Sequence, residues 1–290
     1  MSGVAVVTDS TSSLAPSVAN AAGVLVVPLQ VIVDGKSQPE SFRPESGTIT
    51  PGAVAAALRE GRSVSTSRPA PEAFASAYED AVAAGASAIV SVHLSSGISG
   101  TCDAATAAAR SASVPVSVVD SKVVAPACGF AALAAAAVAR AGGTPDEVAE
   151  AARRRAAAAS TWFCVENLDY LRRGGRIGAA QAMLGSALAV KPLLTITAGK
   201  IAPFERVRTM SRALARLGQL AIAALDDVDS AGADVAVVHL DNRSAADRLA
   251  RVLGSQAAVD AAGVTVLEVS AVLGVHCGPG TVGVVVSPRV

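Results

Sequence analysis

Residues 88–110 read AIVSVHLSSGISGTCDAATAAAR, and this stretch decides the fold. Its first seven residues, Ala88–Leu94, form an apolar run of strand length rich in β-branched side chains. The polar Ser95-Ser96-Gly97-Ile98-Ser99-Gly100-Thr101 follows at once, and the alanine-rich Gly100–Arg110 is long enough for a helix. The same order recurs upstream, where residues 3–8 (GVAVVT) stop at Asp9 and Ser10, and downstream, where Val114–Val119 stops at Asp120. Between these strands lie residues 70–84, with Phe74, Tyr78 and Val82 spaced i, i+4 and i+8, and after them comes the alanine-rich Pro126–Arg140. Strands that alternate with helices predict a parallel sheet covered on both faces.

Thr144-Pro145-Asp146-Glu147 supplies an N-cap, a first-turn proline and a capping glutamate. A helix is therefore expected from there to about Ala159, with Arg153–Arg155 as a solvated face. Beyond it the pattern changes: 161–166, 192–197, 200–208, 234–240, 264–269 and 282–287 all read as strands. The second and third meet at Ala198-Gly199, a hairpin signal, so this sheet is expected to be at least partly antiparallel. The expected fold class is thus α/β: an N-terminal domain, residues 1–159, with a mostly parallel sheet and flanking helices, and a C-terminal domain, residues 160–290, with a six-stranded mixed sheet. No flexible tether separates them, which predicts a fixed cleft where a ligand would bind.

Composition narrows the function classes. In 290 residues, 51% are apolar but only 3% aromatic, so the cores must be built from Val, Ala and Leu. With 24 basic and 24 acidic residues there is no overall field to attract nucleic acid or an anionic membrane surface. The opening MSGVAVVTDS has no signal-peptide pattern, and no apolar run reaches the roughly 18–20 residues of a membrane span; the expectation is a soluble cytoplasmic protein. Cys102, Cys128, Cys164 and Cys277 are far apart with no histidine nearby to complete a zinc set, so no metal is expected and the thiols are expected to be reduced. His93 and His239 lie in strand-like runs and suit packing or strand-end hydrogen bonding.

Three segments carry candidate chemistry. Ser95–Thr101 places hydroxyls and the first free N–H groups of a helix at the carboxyl edge of a sheet, a geometry suited to an anion, although a helix cap would use the same residues. Ser65-Thr66-Ser67-Arg68-Pro69 precedes the helix at 70–84 and reads as either a second hydroxyl donor cluster or an N-cap. Leu171-Arg172-Arg173-Gly174-Gly175-Arg176-Ile177 joins two expected helices and combines guanidinium groups, suited to phosphate or carboxylate, with glycines that permit close approach; a basic inter-helix turn is the plainer reading. Gly278-Pro279-Gly280-Thr281-Val282-Gly283 matches G-x-G-x-x-G, but a strand follows instead of a helix, so the dinucleotide reading fails. What remains is a tight turn that displays His276. No G-x-S-x-G elbow and no P-loop are present.

Together these segments resemble the DegV family, the FakB-type fatty-acid-binding proteins. The likeness rests on Val7-Thr8-Asp9-Ser10-Thr11, Thr66-Ser67-Arg68-Pro69, Ser95 to Thr101, Asp120-Ser121-Lys122, Gly174-Gly175-Arg176-Ile177, Lys191-Pro192-Leu193-Leu194 and His276 to Gly280, in that order. The resemblance implies two domains that enclose one long-chain fatty acid, with its carboxyl group held by Thr66 and Ser96 and by the neighbours Ser95, Ser65 and Ser67. It implies that Arg176 and His276 face a partner, an ATP-dependent fatty-acid kinase that forms the acyl phosphate. The chain itself would be a carrier with no cofactor, and not an enzyme. It departs from the pattern at Arg68, where glutamine is common, and at Cys277 and Thr281.

The candidate walls of the acyl tunnel are Ile98, Met183, Leu184, Leu188 and Val190, because the almost uncharged segment 177–190 is expected to be a helix that adjoins the arginine loop; a plain core helix would read the same. Each buried methylene contributes about 0.8 kcal/mol, so a long chain binds well even if its head group gains little. Neutral hydroxyl donors hold a carboxylate without over-stabilising it as a nucleophile. Two rival readings stand beside the carrier: a hydrolase or phosphotransferase that uses a serine of Ser95–Thr101 with His276 as base, and a lipid-sensing regulatory protein.

Overall fold

The computed structural model describes residues 3–68, 70–183, 190–228, 231–255 and 259–290. The N-terminal half contains β1 (Val4–Asp9), α1 (Pro16–Ala22), β2 (Val24–Val27), β3 (Gln30–Val33), β4 (Lys36–Pro39), α2 (Pro51–Arg59) and β5 (Val64–Ser67). It continues through α3 (Pro71–Ala83), β6 (Ala88–His93), α4 (Thr101–Ala109), β7 (Val116–Asp120), α5 (Pro126–Arg140) and α6 (Pro145–Ala158). The C-terminal half contains β8 (Ser160–Cys164), α7 (Asp169–Arg173), β9 (Lys191–Thr197), β10 (Lys200–Val207), α8 (Met210–Asp226) and β11 (Ala233–His239). It ends with α9 (Arg243–Leu253), β12 (Val259–Glu268), α10 (Ala271–Cys277) and β13 (Val282–Pro288).

The protein is α/β, as its alternating pattern requires. A parallel sheet runs in the order β2-β1-β6-β7, and a six-stranded mixed sheet runs β10-β9-β8-β13-β11-β12, with β11 and β12 as its parallel pair. Side chains that alternate along each strand feed different layers. On β1, Val7 packs with Phe74 and Tyr78 of α3, whereas Val6 packs with the alanines of α5 and α6. On β13, Val284 faces α8 and α9, whereas Val285 joins the α5/α6 layer. The helices α5 and α6 therefore lie between the two sheets. A helix buried on both sides needs small side chains, and Ala127, Ala131, Ala132, Ala135 and Ala136 are all buried. This is what the alanine-rich, aromatic-poor composition builds.

Capping follows the sequence at α6, where Thr144 and Glu147 form a reciprocal capping box. The arginine cluster on the same helix divides. Arg153 and Arg154 are exposed, but Arg155 follows Val148 and Ala152 on the buried face at helical spacing, so the expectation of a wholly solvated face is corrected. Arg155 ion-pairs with Asp234 of β11, which Arg289 also contacts at 2.6 Å.

Two regions differ from the sequence reading in ways that matter for the site. Residues 30–39 and 64–67 form a small antiparallel sheet, β4-β3-β5, so Ser65-Thr66-Ser67 is a strand and not a helix cap; α3 begins after Ala70 without a side-chain cap. His276 lies in the last turn of α10, not in a tight turn, because Ser270 caps that helix at its start and Gly278, at φ +78°, ends it. The expected helix over 177–190 is a 3₁₀ segment, Gly178–Met183, in its described part; Leu184 and Leu188 lie outside the described residues. Among the described residues no helix is long and apolar enough to cross a membrane.

Asp234→Ala strands the buried Arg155 guanidinium between the sheets. Urea unfolding should show a loss of about 2–3 kcal/mol, less than the ~3–5 typical of a fully buried pair because the carboxylate is partly exposed. A loss below ~0.5 kcal/mol would show that the packing of α6 on the six-stranded sheet does not depend on this pair.

Candidate functional site

Strand β5 decides where Thr66 points. Thr66 lies opposite Val31 and Val64 opposite Val33 in the antiparallel register, so the threonine shares the buried face of the small sheet. That face packs on α2 and α10. Thr66 Oγ1 consequently lies 2.9 Å from His276 Nε2, although 210 residues separate them in the chain.

Two glycines bring the remaining parts together. A Cβ on Gly174 would overlap the His276 ring, and one on Gly278 would overlap Tyr170, so the 171–177 turn and the end of α10 approach each other only because both positions lack side chains. Arg176 then reaches across to the N-terminal half, where its Nε donates to Ile98 O at 3.1 Å, while its Nη1 donates to Gly174 O of its own turn at 2.7 Å. Burial, with Arg176 nearby, pulls the His276 imidazole down to about 4, so it is neutral at pH 7.

These residues border two cavities. The more apolar of the two, termed the inner cavity, is about 410 Å³ and has Leu29, Leu94, Ile98, Val272 and Leu273 as apolar wall, with Thr66, Ser67, Arg68, Ser99, Arg176 and His276 as its polar lining. Its volume falls in the ~300–1,000 Å³ range of small-molecule sites. The more polar, termed the outer cavity, is about 360 Å³, shares Thr66, Arg176 and His276 with it and adds Arg62, Ser65 and Arg173. Thr66 and His276 thus form part of the partition between an apolar space and a polar one.

Other expected residues are placed differently. Ser95 is buried and donates to Gly199 O at 2.7 Å, which clasps the β9–β10 hairpin onto the loop. Ser96 is exposed and hydrogen-bonds Asp120 through its side chain and, at 3.1 Å, through its backbone N–H; Lys122 joins the cluster. The expectation that Ser95 and Ser96 converge with Thr66 is therefore corrected. The cause is local: Ile98 and Ser99 N–H both bond to Ser95 O, which makes a helical turn that brings Ile98 and Ser99 to the cavity and leaves Ser96 facing Asp120. Ser67 lines the inner cavity and Ser65 the outer. Met183 is buried behind Ile98, in a cluster with Phe163, Leu171 and Leu194.

Sequence reasoning missed Leu29, Val272 and Glu40, and within the Ser95–Thr101 loop it did not single out Ser99. A carboxyl joins two of the cavity's wall residues, Leu29 and Val272: Ser10 Oγ donates to Glu40 Oε1, Leu29 N–H donates to Ser10 Oγ at 2.9 Å, and Val272 N–H donates to Glu40 Oε2 at 2.9 Å. Nothing in the surrounding Gln38-Pro39-Glu40-Ser41 announces this; only the fold brings it to the start of α10. Nearby, Ser91, His93 and Asp9 line up like a catalytic triad, with Ser91 Oγ to His93 Nε2 at 2.6 Å and His93 Nδ1 to Asp9 Oδ2 at 2.9 Å. All three are fully buried, and Tyr78 donates to Ser91 at 3.0 Å, so the row is a strand-end network that fixes Leu94, whose N–H also reaches Asp9.

The fold and the paired cavities define an α/β protein with a candidate small-molecule site where the N-terminal half meets α10. Comparison with known proteins agrees: the model of the DegV family, described as uncharacterised, matches residues 3–289. A DegV domain-containing protein of Streptomyces coelicolor is 52% identical, covering 99% of each chain. A structure reporting fatty acid binding of a DegV family protein from Thermus thermophilus superposes with a TM-score of 0.90 at 30% identity, covering 99% of each chain. The structure of DegV, a fatty acid binding protein from Bacillus subtilis, gives 0.86 at 28%, again covering 99% of each. The chain belongs to the DegV family.

Burial pushes the Glu40 carboxyl from 4.5 up to about 7. The folded state then keeps a proton that the unfolded chain releases, so this contribution to stability is complete below about pH 4.5 and is lost as pH rises through 7. Denaturant titrations from pH 5 to pH 8 should show the wild type losing about 1–3 kcal/mol relative to Glu40→Gln. Parallel pH curves for the two proteins would contradict the assignment.

Proposed function

We propose that this protein binds one long-chain fatty acid in the inner cavity and presents its carboxyl group at the Thr66–His276 partition to an ATP-dependent fatty-acid kinase in the cytoplasm. The observation that carries the reading is the inner cavity itself, apolar on one side and edged by hydroxyls and Arg176 where the outer cavity begins. The fatty acid binding reported for the Thermus and Bacillus relatives supports it.

The neutral imidazole suits this role. With the proton on Nε2, His276 donates to Thr66 and leaves the threonine hydroxyl proton free to meet a carboxylate oxygen. Such hydrogen bonds contribute about 1 kcal/mol each, enough to orient the head group while the methylenes supply the affinity. Ser67 and Ser99 are the neighbouring donors, and Ser96 takes part only if it leaves Asp120. Arg176, anchored to both halves, lies where charge develops during phosphoryl transfer by the kinase. In this reading the chain performs no chemistry of its own; Ser95, the serine a hydrolase would need, has its hydroxyl committed to Gly199.

Native mass spectrometry of the purified protein should find one fatty acid per chain. Thr66→Ala should weaken rebinding of palmitate about tenfold, whereas Ser96→Ala should change it less than threefold. Arg176→Ala should keep the lipid but lose acyl-phosphate formation with added kinase and ATP. Lipid-free protein that rejects palmitate, or acyl phosphate formed by this chain and ATP alone, would contradict the proposal.

A further inference from the structure

Arg68 lines the inner cavity with its charge unmatched. It follows directly on β5, whose Thr66 and Ser67 share the lining with it. Its side chain crosses Gly100 at the start of α4, where a Cβ would lie 2.8 Å from Nη1 and 3.2 Å from Cδ, so the guanidinium occupies room that only a glycine leaves. Among the described residues no hydrogen bond or ion pair engages that guanidinium. The other cation of the lining, Arg176, has Nε and Nη1 committed to the carbonyls of Ile98 and Gly174. Among the described residues no carboxylate lines the cavity, and its remaining donors, Thr66, Ser67, Ser99 and His276, are neutral.

We infer that Arg68 is the specificity-determining residue of the inner cavity, pairing with an ionised head group so that the site takes long-chain acids in preference to neutral lipids of equal chain length. The inference rests on the fatty-acid reading of that cavity. Hydroxyls and a neutral imidazole hydrogen-bond an alcohol or an ester as readily as an acid, and an apolar wall does not tell their chains apart. A fixed charge does make the distinction. Hydrogen bonds between a guanidinium and a carboxylate are roughly twice as strong as neutral ones, and the unused fork of Arg68 can engage both carboxylate oxygens. This pairing exists before any phosphoryl transfer, so it sets which lipid is held and not how fast that lipid reacts.

The test uses the full-length, lipid-free protein and the transfer of radiolabelled palmitate or radiolabelled hexadecan-1-ol to it from uncharged phosphatidylcholine vesicles at pH 8. Arg68→Gln keeps a polar side chain and removes the charge. It should weaken palmitate binding about tenfold and leave hexadecanol within about twofold of wild type. Raising the salt to about 0.5 M should narrow the gap between wild type and variant for palmitate alone. Arg68 is solvent-exposed, so folding should survive the change, and an unchanged thermal transition of the lipid-free variant checks this. Equal loss of both lipids would show that Arg68 only shapes the cavity, and an unchanged palmitate affinity would show that its charge does not reach the head group; either result would overturn the inference. So would wild type that binds hexadecanol as tightly as palmitate. Failure of wild type to bind palmitate at all would bring down the fatty-acid reading, and the inference with it, a result distinct from the others.

Discussion

The hydrogen bond between Thr66 and His276 is the contact on which the site depends. It joins a strand of the small N-terminal sheet to the last turn of a helix near the C-terminus and closes a loop of 210 residues. It also stands between a more apolar space and a more cationic one. Neither partner reaches the other without the elements behind it: the register of β5 against β3, the cap of α10 at Ser270, and glycines at 174 and 278 that let the turns close.

The layers behind the site explain why it keeps its shape. With α5 and α6 held between two sheets, and Arg155 bonded across to Asp234, the halves meet over a packed interface and do not swing on a tether. Polar groups buried along the seam then fix the cavity walls one by one. Asp9 holds Leu94, Ser10 holds Leu29, and Glu40 holds Val272.

Regular periodicity made much of the fold legible. The β-branched runs at β1, β6, β7 and in the six-stranded sheet, and the helices α3 to α6, follow from alternation, caps and helical spacing. The small sheet escaped because β4 and β5, Lys36–Pro39 and Val64–Ser67, are short and polar, and only their pairing with β3 makes them strands. The candidate site was legible only as separate segments, of which Thr66, Ser67, Ile98, Arg176 and His276 line one cavity. What sequence could not supply was direction. A single helical turn at Ser95 exchanges Ser96 for Ser99, and a buried glutamate such as Glu40 carries no local signature at all. Arg68, read as a departure from the family's pattern, lines the same cavity.

If the partition is where an acid head group rests, a crystal structure of the protein with palmitate answers the question directly. The account predicts a carboxylate oxygen within about 2.7–3.2 Å of Thr66 Oγ1, with the acyl chain passing Ile98 in the inner cavity. A chain bound elsewhere, or one that enters reversed with its methyl end at Thr66 and His276, would contradict it.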